Sequence, residues 1–273
     1  MTDSSSEFPV PDYAATSSLP PTHLLTAEQV TFFHEHGYAS VDAVMPTDEI
    51  EIVREIYDHL FVDDTGRQQD LGGTQRVGEK AALPQILQPS KFAPALLRTQ
   101  LVANLKAMMK QLQGETTVMV GDHAINKPPH NQAATPWHQD EAYWNPAREY
   151  RSLSAWVALQ PATLVNGCMN FVPGSHRLEV IPHRPIGDNP LTPGLEVVPG
   201  TYDFSAAVAC ELPAGGATFH DGRTLHYTAP NNSDDFRRAY IAMGSAYERP
   251  REEPRRFPWQ ERQRAARATA AQT

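Results

Sequence analysis

His138 and Asp140 stand two residues apart in the stretch WHQDEAYW, and a second histidine, His226, follows far downstream in TLHYTAPNN. Two imidazoles and one carboxylate can occupy one face of a divalent metal. The other positions then stay open for a co-substrate and dioxygen, the arrangement that suits non-haem Fe(II) oxygenases. Residues i and i+2 of a strand project to the same side, so His138 and Asp140 can aim at one ion. The third ligand must come from a strand that the fold brings close, hence the long separation in sequence. An H-x-D pair alone is common by chance, but the residues around His226 add to it. Thr228 lies on the same strand face as His226, and Arg237 follows in FRRAYIAMGSA, a plausible neighbouring strand. A site of this type that uses 2-oxoglutarate needs a cation for the distal carboxylate of that acid. A guanidinium fork supplies paired, charge-assisted hydrogen bonds. Two rivals stay open: His220, just ahead of the Asp221-Gly222 turn, for the third ligand, and Arg238, which a strand would turn to the opposite face, for the carboxylate.

The elements that must position these residues fall into two halves. Residues 1 to about 22 are rich in Ser, Pro and Asp and read as disordered. Thr26 with Gln29 makes a capping box for a first helix that stops at Gly37, with Val30 and Phe33 facing inward. Thr47 opens a second helix with an apolar stripe of Ile52, Val53, Ile56, Tyr57 and Leu60. Asp63 to Gly73 reads as a polar loop. Residues 91–113 read as a third helix, with Leu96, Leu97, Leu101, Leu105 and Met109 inward. From Thr116 the pattern changes to short β segments, predicted at 117–125, 153–159, 169–172, 207–212, 217–219, 224–228 and 239–246. Many short strands punctuated by Pro, Gly and Asn predict a sandwich or jelly roll. A long proline-rich insertion, Arg177–Ser205, reads as a cover over the pocket mouth. The tail from Glu248 reads as a short surface helix or a frayed end.

Composition narrows the function classes. The chain has 273 residues, 40% of them hydrophobic, enough for one substantial core. No apolar run approaches membrane-spanning length, and the polar, acidic opening lacks a secretion-signal pattern, so a cytoplasmic location is expected. Cys168 and Cys210 are the only cysteines and read as buried free thiols. A net charge of −9 argues against nucleic acid or an anionic membrane as partner. A small-molecule substrate is expected, and composition says nothing of oligomeric state.

The ordered set of motifs resembles the phytanoyl-CoA dioxygenase family of Fe(II)/2-oxoglutarate oxygenases. The set comprises NKPP at 126–129, HQD at 138–140, Trp156 in SLSAWVAL, NGCMNFVPGSH at 166–176 and GGATFHDGRTLHYTAPN at 215–231, closed by Arg237. LTAEQVTFFHEHGYASV fits the family's opening helix and strand, so the resemblance spans roughly 24–247. It implies a mainly β fold with flanking helices, a double-stranded β-helix or cupin-like jelly roll, over residues 23–247, with 248–273 as a charged tail. It also implies Fe(II) held by His138, Asp140 and His226, with 2-oxoglutarate and dioxygen as co-substrates. Arg237 and Thr228 would meet the 2-oxoglutarate carboxylate, with Trp156, Lys80, Gln139 and His123 as further contacts, and Tyr143 and Trp144 would line the substrate space. Related halogenases replace the aspartate by a small residue, so Asp140 implies oxygenation. The implied activity is oxidation of a substrate C–H bond coupled to decarboxylation of 2-oxoglutarate to succinate, with tailoring of a small bacterial secondary metabolite as the preferred role. An acyl-CoA hydroxylase of the same family, and a zinc-type or non-catalytic cupin-fold protein, are the alternatives.

Overall fold

Thr26 starts the first helix as its sequence requires. Its hydroxyl accepts the Gln29 N–H, and the Gln29 side chain accepts the Thr26 N–H. The computed structural model describes residue 13 and residues 18–62, 69–70 and 81–271. Most of the N-terminal segment, much of the Asp63–Gly73 loop and Lys80 lie outside the described residues. α1 (Ala27–His36) ends at Gly37, whose φ of 81° is left-handed backbone. β1 (Tyr38–Val41) and α2 (Thr47–Val62) follow, the latter burying Ile50, Val53, Tyr57 and Leu60. Ile52, predicted inward, is exposed. It lies one residue, about 100° of helix, from Val53, at the centre of the buried face. β2 (Gln69–Asp70) and β3 (Pro84–Leu87) lead to the third helical region. The predicted helix over 91–113 is three pieces: 3-10 turns at Pro89–Lys91 and Pro94–Arg98, then α3 (Gln100–Gln113). Pro94 has no N–H to continue a helix, and the Thr99 hydroxyl caps a new one by accepting the Val102 N–H. The predicted inward residues Leu96, Leu97, Leu101, Leu105 and Met109 are all buried.

The remaining elements are β4 (Val118–Lys127), β5 (Thr135–His138), β6 (Arg148–Ala158), β7 (Met169–Phe171), β8 (His183–Pro185), β9 (Leu195–Val197), β10 (Val208–Cys210), β11 (Ala217–Asp221), β12 (His226–Thr228), β13 (Arg237–Pro250) and α4 (Pro258–Ala270). A seven-stranded sheet, in the order β1-β11-β6-β13-β4-β3-β2, packs against a four-stranded sheet, β10-β7-β12-β5. This is the cupin-like jelly roll. Strand alternation decides which residues face which layer. Ala155, Val157, Tyr240 and Ala242 turn outward and pack under the helices in the largest core. Trp156, Ala158, Ala239 and Ile241 turn inward and meet Met169, Phe171 and Cys210 of the small sheet. Cys168 and Cys210 are buried and free, as expected.

The predicted cover Arg177–Ser205 is a folded layer instead. β8 and β9 pair with each other, and Leu178, Ile181, Val197, Tyr202 and Phe204 pack with Val172, Leu225 and Trp137. Its apolar residues are spread between prolines with no regular period, which hides them from a pattern reading. The tail is also anchored. β13 runs on to Pro250, and on α4 the buried Trp259 donates its indole N–H to Ala142 O at 2.9 Å. No helix among the described residues is long and apolar enough to cross a membrane.

Candidate active site

His226 and His138 are cross-strand partners on β12 and β5, with ring centroids 4.1 Å apart. The same local device fixes both rings. Nδ1 lies 2.8 Å from Pro136 O in His138 and 2.9 Å from Thr224 O in His226. A carbonyl only accepts, so each Nδ1 carries the proton and each Nε2 offers its lone pair. Asp140 does not sit on the strand as expected, because β5 ends at His138 and Asp140 begins a 3-10 turn (Asp140–Tyr143). Gln139 between them keeps extended backbone, so the two side chains still turn to one side. Asp140 Oδ1 lies 3.6 Å from His138 Nε2 and 3.5 Å from His226 Nε2, and one ligand atom from each of the three residues fits within 4.8 Å of the others. Oδ2 accepts from Ser154 Oγ at 2.9 Å and faces His220 Nε2 at 3.3 Å. His220 therefore stands behind the carboxylate and outside the ligand cluster. Burial alone would raise the Asp140 pKa, but the surrounding imidazoles of His226, His138 and His220 hold it well below the usual carboxylate range. Burial, then His138 and His220, push His226 well below the usual imidazole range. An ionised carboxylate beside imidazole lone pairs is a donor set that a divalent transition metal takes.

These groups open onto a cavity of about 320 Å³. Thr228, Trp156, Arg237 and His123 line it, with Ile125, Met169, Ile241 and Met243 as apolar wall and Tyr143 and Trp144 on the loop side. Arg237 is 0% exposed, and its Nη1 donates to Gly167 O at 3.1 Å. The guanidinium lies over the Trp156 ring, 5.0 Å from its centroid, while Nε and Nη2 have no partner. Burial lowers its pKa to about 10, which leaves it charged at neutral pH. A buried cation with unused donors is costly unless an anion joins it. Arg238 turns to the opposite face, as the alternation predicts, and binds the Asp58 carboxylate at 2.6 and 3.1 Å. His123 is half-buried, with its Nε2 shielded and unpartnered, and desolvation drops its pKa to about 4.

Other expected contacts are elsewhere. Gln139 turns away from the cavity. Its Nε2 donates to Arg223 O at 2.8 Å and its Oε1 accepts the Ile181 N–H at 2.9 Å, so its amide ties loops together. Alternation next to His138 required that outward turn. The insertion supplies no cavity-lining residue. It supports the wall from behind, through the Leu195 N–H on the Tyr143 hydroxyl at 2.7 Å and His183 Nε2 on the Gln139 N–H at 3.1 Å. Glu141, next to the ligand cluster, is a buried ion-pair partner of Arg255 at 2.6 Å. Two residues carry no assignment from the sequence: Ser154, and Lys127, whose Nζ lies 3.0 Å from Thr228 Oγ1, while His220, the rival for the third ligand, faces the Asp140 carboxylate instead. Ser154 was findable, since it stands two residues before Trp156 on the same strand face.

Residues 33–239 match the family described as Phytanoyl-CoA dioxygenase (PhyH). EvdO2 from Micromonospora carbonacea var. aurantiaca, solved alone and complexed with 2-oxoglutarate, is 34% identical. It aligns with a TM-score of 0.77 over 88% of this chain and 99% of its own. A probable phytanoyl-CoA dioxygenase of Caenorhabditis elegans is 27% identical over 84% of this chain and 77% of its own length. A probable alpha-ketoglutarate-dependent hypophosphite dioxygenase of Stutzerimonas stutzeri is 25% identical over 81% and 78%. The family match runs from the first helix past Arg237, so it encloses the whole His-Asp-His cluster and the buried cation, and the chain belongs to the phytanoyl-CoA dioxygenase family.

Proposed function

We infer that this chain is a non-haem Fe(II)/2-oxoglutarate-dependent oxygenase that oxidises a C–H bond of a small organic substrate. One observation carries this reading: a single cavity holds both a His-Asp-His cluster and a buried arginine with unused donors. His138, Asp140 and His226 would hold the metal, and Arg237 with Thr228 the distal carboxylate of 2-oxoglutarate. The relative EvdO2, which binds 2-oxoglutarate, supports the second assignment. When bound, iron and 2-oxoglutarate supply the oxidising power, with dioxygen consumed and succinate and carbon dioxide released. The protein's own residues do the rest. Pro136 O and Thr224 O hold the two imidazoles in the ligating tautomer. Ser154 and His220 engage Oδ2 of Asp140, so that Oδ1 remains toward the imidazoles. Ile125, Met169, Ile241 and Met243 give the cavity an apolar wall, which disfavours water beside the reacting atoms. Tyr143 and Trp144 would shape the substrate side. A cavity of about 320 Å³ suits a small molecule, and oxidative tailoring of a secondary metabolite in the cytoplasm is the role we favour.

The test is metal content and succinate formation measured together after anaerobic loading with Fe(II). We expect about one Fe(II) per chain, and succinate from 2-oxoglutarate only when dioxygen is admitted. His138→Ala, Asp140→Ala and His226→Ala should each lose both while the circular dichroism of the fold persists. A protein that takes zinc and leaves 2-oxoglutarate untouched would sink the reading. So would metal loss in His220→Ala with metal retention in His226→Ala.

A further inference from the structure

Lys127 is a buried amine that the proposed reaction leaves unexplained. It is 0% exposed and lies directly across from Arg237 in the β4–β13 register. Its Nζ donates to Ala229 O at 2.6 Å and lies 3.0 Å from Thr228 Oγ1. Arg237 faces it from β13, and Thr228 and Ala229 face it from the end of β12. His123, on the same face of β4, is neutral because burial drops its pKa to about 4. Behind Arg237, burial raises both the Tyr57 hydroxyl and the Cys168 thiol, so neither is an anion at neutral pH. Among the described residues, no carboxylate pairs with Lys127 or Arg237.

Two buried cations without an anion cannot both stay charged cheaply. The lysine gives up its proton first, because guanidinium holds its own far more strongly. Burial, with Arg237 adding to it, brings the Lys127 pKa down to about 6. A neutral amine can donate to Ala229 O and still accept a hydrogen from Thr228. An ammonium has three donors and no acceptor. Once Lys127 is charged, Thr228 Oγ1 must accept from it, and the hydroxyl hydrogen of Thr228 is free to point into the cavity that Thr228 lines.

We propose that Lys127 is a positioning residue that takes up a proton from solvent when a dicarboxylate occupies the Arg237 end of the cavity, and that its ammonium form presents the Thr228 hydroxyl as a donor to that carboxylate. The proposal rests on the reading that the cavity binds 2-oxoglutarate. The experiment is anaerobic calorimetric titration of the Fe(II)-loaded protein with 2-oxoglutarate at pH 8, in buffers of differing ionisation enthalpy. Wild type should take up about one proton more per site than Lys127→Met, which should also bind about tenfold or more weakly. Lys127→Arg, permanently charged, should lose the same proton uptake while keeping most of the affinity, and it serves if the methionine variant fails to fold. An unchanged proton count in whichever variant folds overturns the inference. Arg237→Ala separates the two levels. If it binds 2-oxoglutarate as wild type does, the underlying site assignment falls. If it binds weakly while the Lys127 variants keep the wild-type proton count, only the role of Lys127 falls.

Discussion

Adjacent arginines with opposite duties give the sharpest test at the scale of single residues. Arg237 ends in the cavity with two donors unused, whereas Arg238 ends on Asp58 outside it. Arg237→Ala is expected to weaken 2-oxoglutarate binding roughly a hundredfold, the usual consequence of leaving a buried carboxylate without its charged partner. Arg238→Ala removes a partly exposed ion pair, so 2-oxoglutarate affinity should hardly change. Titration of both variants with Fe(II) present decides, and equal affinities would refute the carboxylate assignment. His220 and Ser154 offer a graded counterpart. Both meet Asp140 at Oδ2, and the His220 ring also packs on that of His226, centroids 4.3 Å apart, so His220→Ala should keep metal but hold it less tightly, whereas Asp140→Ala should lose it.

Among the elements, the 3-10 turn Asp140–Tyr143 matters most, because it carries a candidate metal ligand and one side of the cavity wall. It is short and cannot stabilise itself, so its neighbours hold it. The Leu195 N–H binds the Tyr143 hydroxyl, and Trp259 and Gln260 of α4 both donate to Ala142 O. Gly222 lies under Trp144, where a Cβ would come within 2.7 Å of the indole. Trp144→Ala should therefore impair oxidation of the true substrate more than substrate-free consumption of 2-oxoglutarate. Succinate and product measured together check this, and unchanged coupling would place the substrate elsewhere. Trp259→Ala reaches the same turn from behind. Truncating a buried aromatic of this kind costs about 3–5 kcal/mol, which denaturant unfolding would read directly. A loss below about 1 kcal/mol would show that α4 is only a surface helix.

For the whole molecule, the inner layer between the two sheets concentrates charge that the rest of the fold tolerates only at a cost. Asp140, Arg237 and Lys127 all lie on inward faces of strands or the adjoining turn, while the outward faces form the apolar core under the helices. Ligands that neutralise the inner layer should stabilise the protein as a whole. Adding 2-oxoglutarate to the metal-loaded chain at a hundredfold over its Kd is worth about 2.7 kcal/mol. For a chain of this length that is a rise in Tm of roughly 5–10 °C. Scanning calorimetry should show the increment in wild type and lose it in Arg237→Ala, which keeps the separate increment from metal.

Sequence alone determined what depends on near neighbours. The i, i+2 spacing turns His138 and Asp140 to one side even though the strand gives way to a turn between them. Thr26, Gln29 and Gly37 delimit α1 by their own hydrogen bonds and backbone freedom. Alternation put Arg237 and Arg238 on opposite faces. Only the tertiary structure decided what depends on register between distant strands: Lys127 opposite Arg237, Ser154 and His220 on one oxygen of Asp140, and Leu195 behind Tyr143. The insertion and the tail escaped for the same reason, since their sparse apolar residues form no period and find partners only across the fold. A local pattern states which way a side chain turns. What it meets there is set by packing, and at this site packing left a buried arginine and a buried lysine to be answered by a ligand.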